Sequence, residues 1–244
     1  VVSEAINEDP RGRKEVLKQL EEKKKAFQEL KKEEKEFFDE ETLWNPYDDT
    51  RILNGTGKEE VKRVMVGIDV EVGEMLLADW VSKNQKKLDL VIAHHPEGKA
   101  LSALHSVMRM QADIFAKFGV PINVAESIME QRIDDVKNGL NPFNHTRTED
   151  AAKILGIPLM TCHTASDNHG ETWLQKKFEE AEPRRVSEIL EHLNKIPEYK
   201  WGAQHKMGPY QLLGKPENKC GKVMVNMTGG TEQAKEMYEK LSAA

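Results

Sequence analysis

Cysteine is nearly absent: Cys162 and Cys220 are the only two in 244 residues. Two are too few for a disulfide scaffold, and they form no paired CxxC metal motif. Long apolar runs are missing as well. Every run falls well short of the ~20 residues that a membrane-spanning helix needs, so no membrane span is expected. The first residues are charged and lack an apolar central region, which reads as no signal peptide. There is no excess of base: 36 Lys and Arg stand against 42 Asp and Glu, for a net charge of -6. That balance argues against nonspecific nucleic-acid binding, which needs a basic surface. What is abundant is charge of both signs, 32% of the chain, mostly Lys and Glu. Such a composition suits a cytoplasmic protein, and the length allows one large core or two small ones.

Residues 11–40 carry no Gly or Pro after the opening turn and are rich in Lys, Glu and Leu, all strong helix formers. Leu17, Leu20, Phe27, Leu30 and Phe37 give one narrow apolar seam. The segment is expected to be a long amphipathic helix that packs either on its own domain or on a neighbouring subunit. Trp44, Asn45 and Pro46 end it. The boundaries expected from this reading are an N-terminal helix over 1–48, a first α/β domain over 49–180 and a second α/β half over 181–244.

After the helix, Val61–Asp69 reads as a strand, Glu71–Lys83 as a helix, and Leu88–Pro96 as a buried strand of a parallel sheet. Strand, helix, strand makes a βαβ unit the default. The second strand ends in His94, His95 and Pro96. Pro96 cannot donate to a ladder and closes the strand. Neighbouring residues of a strand point to opposite faces, so two adjacent histidines share a site only where the pleat is lost. The ends of strands are where open α/β sheets build sites, and neutral imidazole is a common metal ligand. The plain alternative is a polar strand end with one histidine satisfied by a carbonyl. Asp69 ends the first strand beside them, as a ligand, a residue behind a ligand, or a helix N-cap.

Lys99–Phe118 reads as one helix, with His105 as a packing or surface residue. Val120–Ala125 reads as a short third strand, followed by Glu126 and Glu130 at helical spacing. Ile157–Cys162 is a fourth strand, ending in His163-Thr164-Ala165-Ser166-Asp167-Asn168-His169. His and Asp are ligand types for zinc or iron, and a carboxylate can bridge two metals. The alternative there is a turn, with Asp167 and Asn168 capping a helix that begins near Glu171. Glu182–Leu193 is a further helix, 197–219 reads as loop with His205 structural or exposed, and Gly221–Met227 reads as a last strand. The Gly229-Gly230 turn before the final helix lacks the fingerprint and the lysine of a phosphate loop.

The strings VMVGID and, one helix later, DLVIAHHP resemble the first half of the NIF-three-like family, also labelled GTP cyclohydrolase I type 2. KVMVNMTGG is similar to the start of that family's second half, so the likeness covers most of residues 50–244. The resemblance implies an α/β fold of two related three-layer halves with mixed sheets, a dinuclear divalent-metal site holding two ions (Zn, Fe, Mn or Ni), and a ring-shaped homohexamer. It implies a metal-dependent hydrolase or cyclohydrolase acting on a small molecule; the charge balance and the short apolar runs speak against a nucleic-acid or membrane partner. The family's adjacent histidines correspond to His94 and His95. Its HxxxD element corresponds best to His163 and Asp167, with Asp167 as the bridging carboxylate. The family places that element directly after the third strand, where this chain has Glu130 at the same spacing, so Glu130 stands as a rival or an added ligand. The family's late GHxxxE pair has no counterpart before the chain ends, so the second half over 181–244 reads as incomplete. A non-catalytic oligomeric metal-binding or regulatory protein is the alternative function.

Overall fold

A computed structural model describes residues 1–243. It forms two compact units, one from residues 1–170 together with the stretch from 227 onward, the other from 171–226. These divisions fall at other places than the boundaries expected at 48 and 180.

In the first unit, three helices open the chain: α1 (Val2–Asn7), α2 (Arg13–Glu29) and α3 (Lys32–Lys35), followed by a 3-10 turn over Glu40–Leu43. The single long helix expected over 11–40 is therefore interrupted. Leu30 is extended, and the Glu34 carboxylate takes the Lys31 amide at 2.8 Å, which starts α3 as a separate helix. Only the N-terminal part of the apolar seam is buried. Val16 and Leu20 join Ala5, Ile6, Tyr47 and Ala165 in one cluster, whereas Phe37 is 91% exposed. The N-terminal helices thus pack on their own unit, the first of the two arrangements expected.

The sheet has four strands in the order β1–β4–β3–β2: β1 (Ile52–Asn54), β2 (Val64–Gly67), β3 (Leu90–Ala93) and β4 (Leu159–Thr161). β2, β3 and β4 run parallel, and β1 pairs antiparallel on the edge beside β4. The chain is α/β with a mixed sheet. Helix α4 (Val72–Asn84) joins β2 to β3. Its Met75 and Ala78 pack on Val91, Ala93 and Leu159 of the sheet and on Ala152 of helix α9 (Arg147–Leu155). This cluster buries one face of the sheet and fixes where β3 and β4 end.

Between β3 and β4 lie α5 (Gly98–Ser102), α6 (Leu104–Val107), α7 (Arg109–Lys117) and α8 (Ile122–Leu140). The one helix expected over 99–118 is thus three short ones, and the strand expected over 120–125 is helix. Pro121 occupies the N-cap of α8, and Ala125, Met129 and Ile133, four apart, supply its buried side. That helical stripe outweighs the β-branched residues at its start, because burial decides more than propensity. The third parallel strand is consequently Leu159–Thr161.

Helix α10 (Thr164–Ala181) follows β4 after two residues. In the second unit, Ile189 and Leu193 of α11 (Val186–Leu193) pack on Leu174, Phe178 and Val225, and α12 (Pro197–Gln204) makes part of the loop expected over 197–219 helical. His205 is exposed and stacks on Trp201 at 4.2 Å between ring centroids. The strand expected over 221–227 forms no ladder. Two of its backbone groups meet one side chain: Gln175 Nε2 donates to the Val223 carbonyl at 3.0 Å and its oxygen accepts from the Val225 amide at 2.9 Å. Returning to the first unit, α13 (Lys235–Ala243) closes the described chain. The Gly229-Gly230 turn before it is a packing device. Gln111 Nε2 donates to the carbonyls of Gly229 at 2.7 Å and Thr231 at 2.9 Å, which seats the turn against α6 and α7.

Candidate metal centre

The site lies beyond the C-terminal ends of β3 and β4. The amides of His94 and His95 donate in succession to the carbonyls of Gly67 and Ile68, both at 2.8 Å. In a regular parallel ladder, consecutive amides point to opposite neighbours. Two in a row toward the same strand mean that the pleat has been lost, and both imidazoles can turn to one side. The Cys162 amide donates to Ala93 at 2.8 Å, which holds the end of β4 against β3 and brings His163 to the same place.

The ring centroids of His94 and His163 are 4.9 Å apart, those of His94 and His95 5.2 Å, and those of His95 and His163 5.7 Å. One ligand nitrogen from each of the three lies within 4.8 Å of the others. Each Nδ1 already has a partner. In His94 it faces the Cys162 carbonyl and the Ser166 hydroxyl, both at 3.2 Å. In His95 it faces Asp69 Oδ1 at 2.7 Å, and in His163 it faces Asp49 Oδ2 at 2.9 Å. A carboxylate or a carbonyl can only accept, so Nδ1 carries the hydrogen and Nε2 keeps a lone pair. Three imidazoles with Nδ1 anchored and Nε2 presented together form a donor set that suits a borderline divalent metal.

Asp167 stands in the first turn of α10, with its carboxylate oxygens 3.6 Å from His94 Nε2 and 3.8 Å from His163 Nε2. The helix begins at Thr164 rather than near Glu171, so 163–169 is not a capping turn. The Ser166 and Asp167 amides donate to the His163 carbonyl at 2.8 Å and 3.1 Å, and this winding swings the carboxylate back over the imidazoles. Asn168 points the other way: its amide donates to the Ala5 carbonyl at 3.2 Å. Glu130 is not brought to this group; it stands exposed on α8. Asp69 meets His95 and does not cap α4, whose N-cap is Glu71. His105 lies on α6, away from the histidine group.

Asp49 is the residue that sequence reasoning missed. Its side chain is fully buried. The oxygen facing His163 also accepts from the Thr164 hydroxyl at 2.6 Å and the Thr164 amide at 3.3 Å. The Asp49 carbonyl accepts from Thr161 Oγ1 at 2.9 Å, and the His163 amide donates to Thr50 Oγ1 at 3.2 Å. The segment before β1 is thus laced to the end of β4. No local pattern marks Asp49; the one clue is that a buried histidine needs an acceptor for its second nitrogen.

The electrostatics separate the imidazoles. Burial, the neighbouring His163 and the neighbouring His95 push His94 below the usual histidine value, against the Cys162 carbonyl. Burial pulls on His163 in the same direction, but the hydrogen bond and charge of Asp49, with Asp167 beyond, carry it above that value. Burial raises the Cys162 thiol, which favours the inert protonated form.

A solved structure of a NIF3 superfamily protein from Sphaerobacter thermophilus superimposes on this chain with a TM-score of 0.56 and 27% sequence identity. The chain is similar to this NIF3 superfamily protein in fold and in part of its sequence. The match covers 64% of this chain and 56% of that protein, so the chain spans little more than half the relative's length. No family model matches the chain, and no curated protein matches it. Together with this likeness, the histidine cluster beyond the ends of β3 and β4 fits a metal-binding protein. Among the described residues, no helix is long and apolar enough to cross a membrane.

Proposed function

We propose that the chain is a metal-dependent hydrolase of cyclohydrolase type, whose divalent ions are held by His94, His95, His163 and Asp167. The observation that carries this reading is the convergence of three imidazoles, each with its Nδ1 already engaged, within 4.8 Å. A pair of divalent ions there would supply Lewis-acid activation of water and of a polar substrate bond. The chain's own groups do the rest. Asp49, Asp69 and the Cys162 carbonyl fix the imidazole orientations. Asp167, with carboxylate oxygens 3.6 Å from His94 Nε2 and 3.8 Å from His163 Nε2, would help to hold the ions.

The test has two parts on one preparation: metal content by mass spectrometry, and hydrolysis of nucleoside triphosphates and cyclic amides by the metal-loaded protein. Turnover that disappears with His94→Ala and returns with neither zinc nor manganese supports the hydrolase. Stoichiometric metal without turnover of either class supports a metal-binding or regulatory protein instead.

We also propose that copies of the chain assemble. Val72, Leu76 and Trp80, four apart on α4, are 38%, 56% and 53% exposed, an apolar stripe of the kind that interfaces cover. Light scattering is expected to give a mass of several chains, reduced by Leu76→Glu; a monomer at micromolar concentration contradicts it.

A further inference from the structure

Two aspartates stand behind two of the histidines, and their surroundings are opposite. Asp69 makes the shorter contact, 2.7 Å to His95, but its side chain is 76% exposed and that of His95 is 51% exposed. Asp49 makes a contact of 2.9 Å to His163, with its own side chain 0% exposed and that of His163 10% exposed. Distance alone ranks Asp69 first. The dielectric reverses the order: a charge interaction near water is several-fold weaker than the same interaction at a buried site.

Asp49 is also held rigidly. The oxygen that meets His163 Nδ1 receives the Thr164 hydroxyl and amide as well, and the other carboxylate oxygen receives the Thr50 hydroxyl at 3.4 Å. The Thr164 and Thr50 groups donate to Asp49, and the imidazole, which has two tautomers, can meet it only as a donor too. An oxygen that only accepts leaves His163 one choice, hydrogen on Nδ1 and a lone pair on Nε2. Nε2 is the nitrogen that lies on the Asp167 side, 3.8 Å from that carboxylate.

We infer that Asp49 is the positioning residue that sets the metal affinity of the site, by fixing the His163 tautomer and strengthening its Nε2 as a donor, while Asp69 contributes little. The inference rests on the metal-binding reading above. It assigns to a residue 114 positions away in sequence the part of a buried carboxylate behind a metal-binding imidazole.

The experiment compares zinc affinity, by competition with a chromophoric chelator, in the full chain and in Asp49→Asn and Asp69→Asn. Asparagine keeps the size and can keep an oxygen toward Nδ1, so the first variant removes the charge and the constraint on the tautomer. Asp49→Asn is expected to weaken zinc binding about 10–100-fold, and Asp69→Asn by less than about threefold, as for a solvent-screened pair. Long-range nitrogen–proton spectra of the metal-free chain are expected to show His163 protonated at Nδ1, and a loss of that preference in Asp49→Asn. Equal zinc affinities for the wild type and Asp49→Asn overturn the inference, as does a wild-type His163 protonated at Nε2. The spectrum of the wild type decides the matter even if Asp49→Asn does not fold. A wild-type chain that takes up no zinc overturns the metal-binding reading itself, which is a different result.

Discussion

The carboxylate of Asp49, closed off from solvent, meets the imidazole of His163 at 2.9 Å across 114 residues of sequence. This contact ties the segment before the edge strand to the end of β4. It makes the histidine at the strand end a fixed donor rather than a mobile surface group. The contact therefore belongs both to the fold and to the candidate metal site.

Arg51 provides the first stability prediction. Its side chain is 1% exposed and forms ion pairs with Asp39 at 3.0 Å, Glu41 at 2.8 Å and Asp48. Removing it leaves the mostly buried Asp48 without its counter-charge. Arg51→Ala is expected to lower unfolding stability by about 3–5 kcal/mol, the range for breaking a buried pair from one side. Arg51→Lys should recover only part, because lysine lacks the planar fork that reaches several carboxylates. Urea denaturation followed by circular dichroism measures both.

Tyr47 gives a pH dependence. Its hydroxyl donates to Asp9 at 2.8 Å, and Asp9 also holds Arg11 at 2.8 Å. Burial, reinforced by the charge of Asp9, pushes the phenol well above its ordinary value of 10.0. A folded-state value raised above the unfolded one means that the stabilising contribution is whole below pH ~10 and drains away as pH rises beyond it. Tyr47→Phe is expected to cost about 1 kcal/mol at pH 8, with the gap to wild type narrowing above pH ~10. A gap that stays constant between those conditions contradicts the assignment.

Gly229 adopts φ +91°, and a Cβ there would lie 2.7 Å from Gln111 Cγ and 3.2 Å from Met110 Cγ. Both the left-handed backbone and the close approach require glycine. Gly229→Ala is expected to cost about 1–3 kcal/mol. Gln111→Leu should cost a similar amount, because the carbonyls of Gly229 and Thr231 lose their donor. Differential scanning calorimetry of the two single variants and the double tests whether they act on one contact: the double is then less than additive.

Much of the fold and half of the site could be read in the sequence, for identifiable reasons. LVIAHHP and LMTCHTASD carry their own evidence, since apolar strands that stop at histidines are local patterns. The parallel pairing of β2 with β3 followed from strand–helix–strand order. What escaped depends on partners far along the chain. VPINVA has the composition of a strand, yet Met129 and Ile133 farther on make it the start of a helix. KVMVNM alternates like a strand, yet Gln175 takes two of its backbone groups. β1 is three residues long and sits on an edge, too short for periodicity to show. Asp49 is one of two adjacent aspartates with no distinguishing neighbour, and only the folded chain separates it from Asp48. The structure brings Asp167 beside the histidines and leaves Glu130 exposed on α8, because the stretch from Ile122 is helix and not the expected strand.

The most direct test is zinc titration of the full metal-free chain beside a His94→Ala/His163→Ala variant that retains its thermal transition. The account predicts at least one equivalent of tightly held zinc in the wild type and loss of that site in the variant. Wild-type protein that binds less than one equivalent, or a variant that binds as the wild type does, contradicts it.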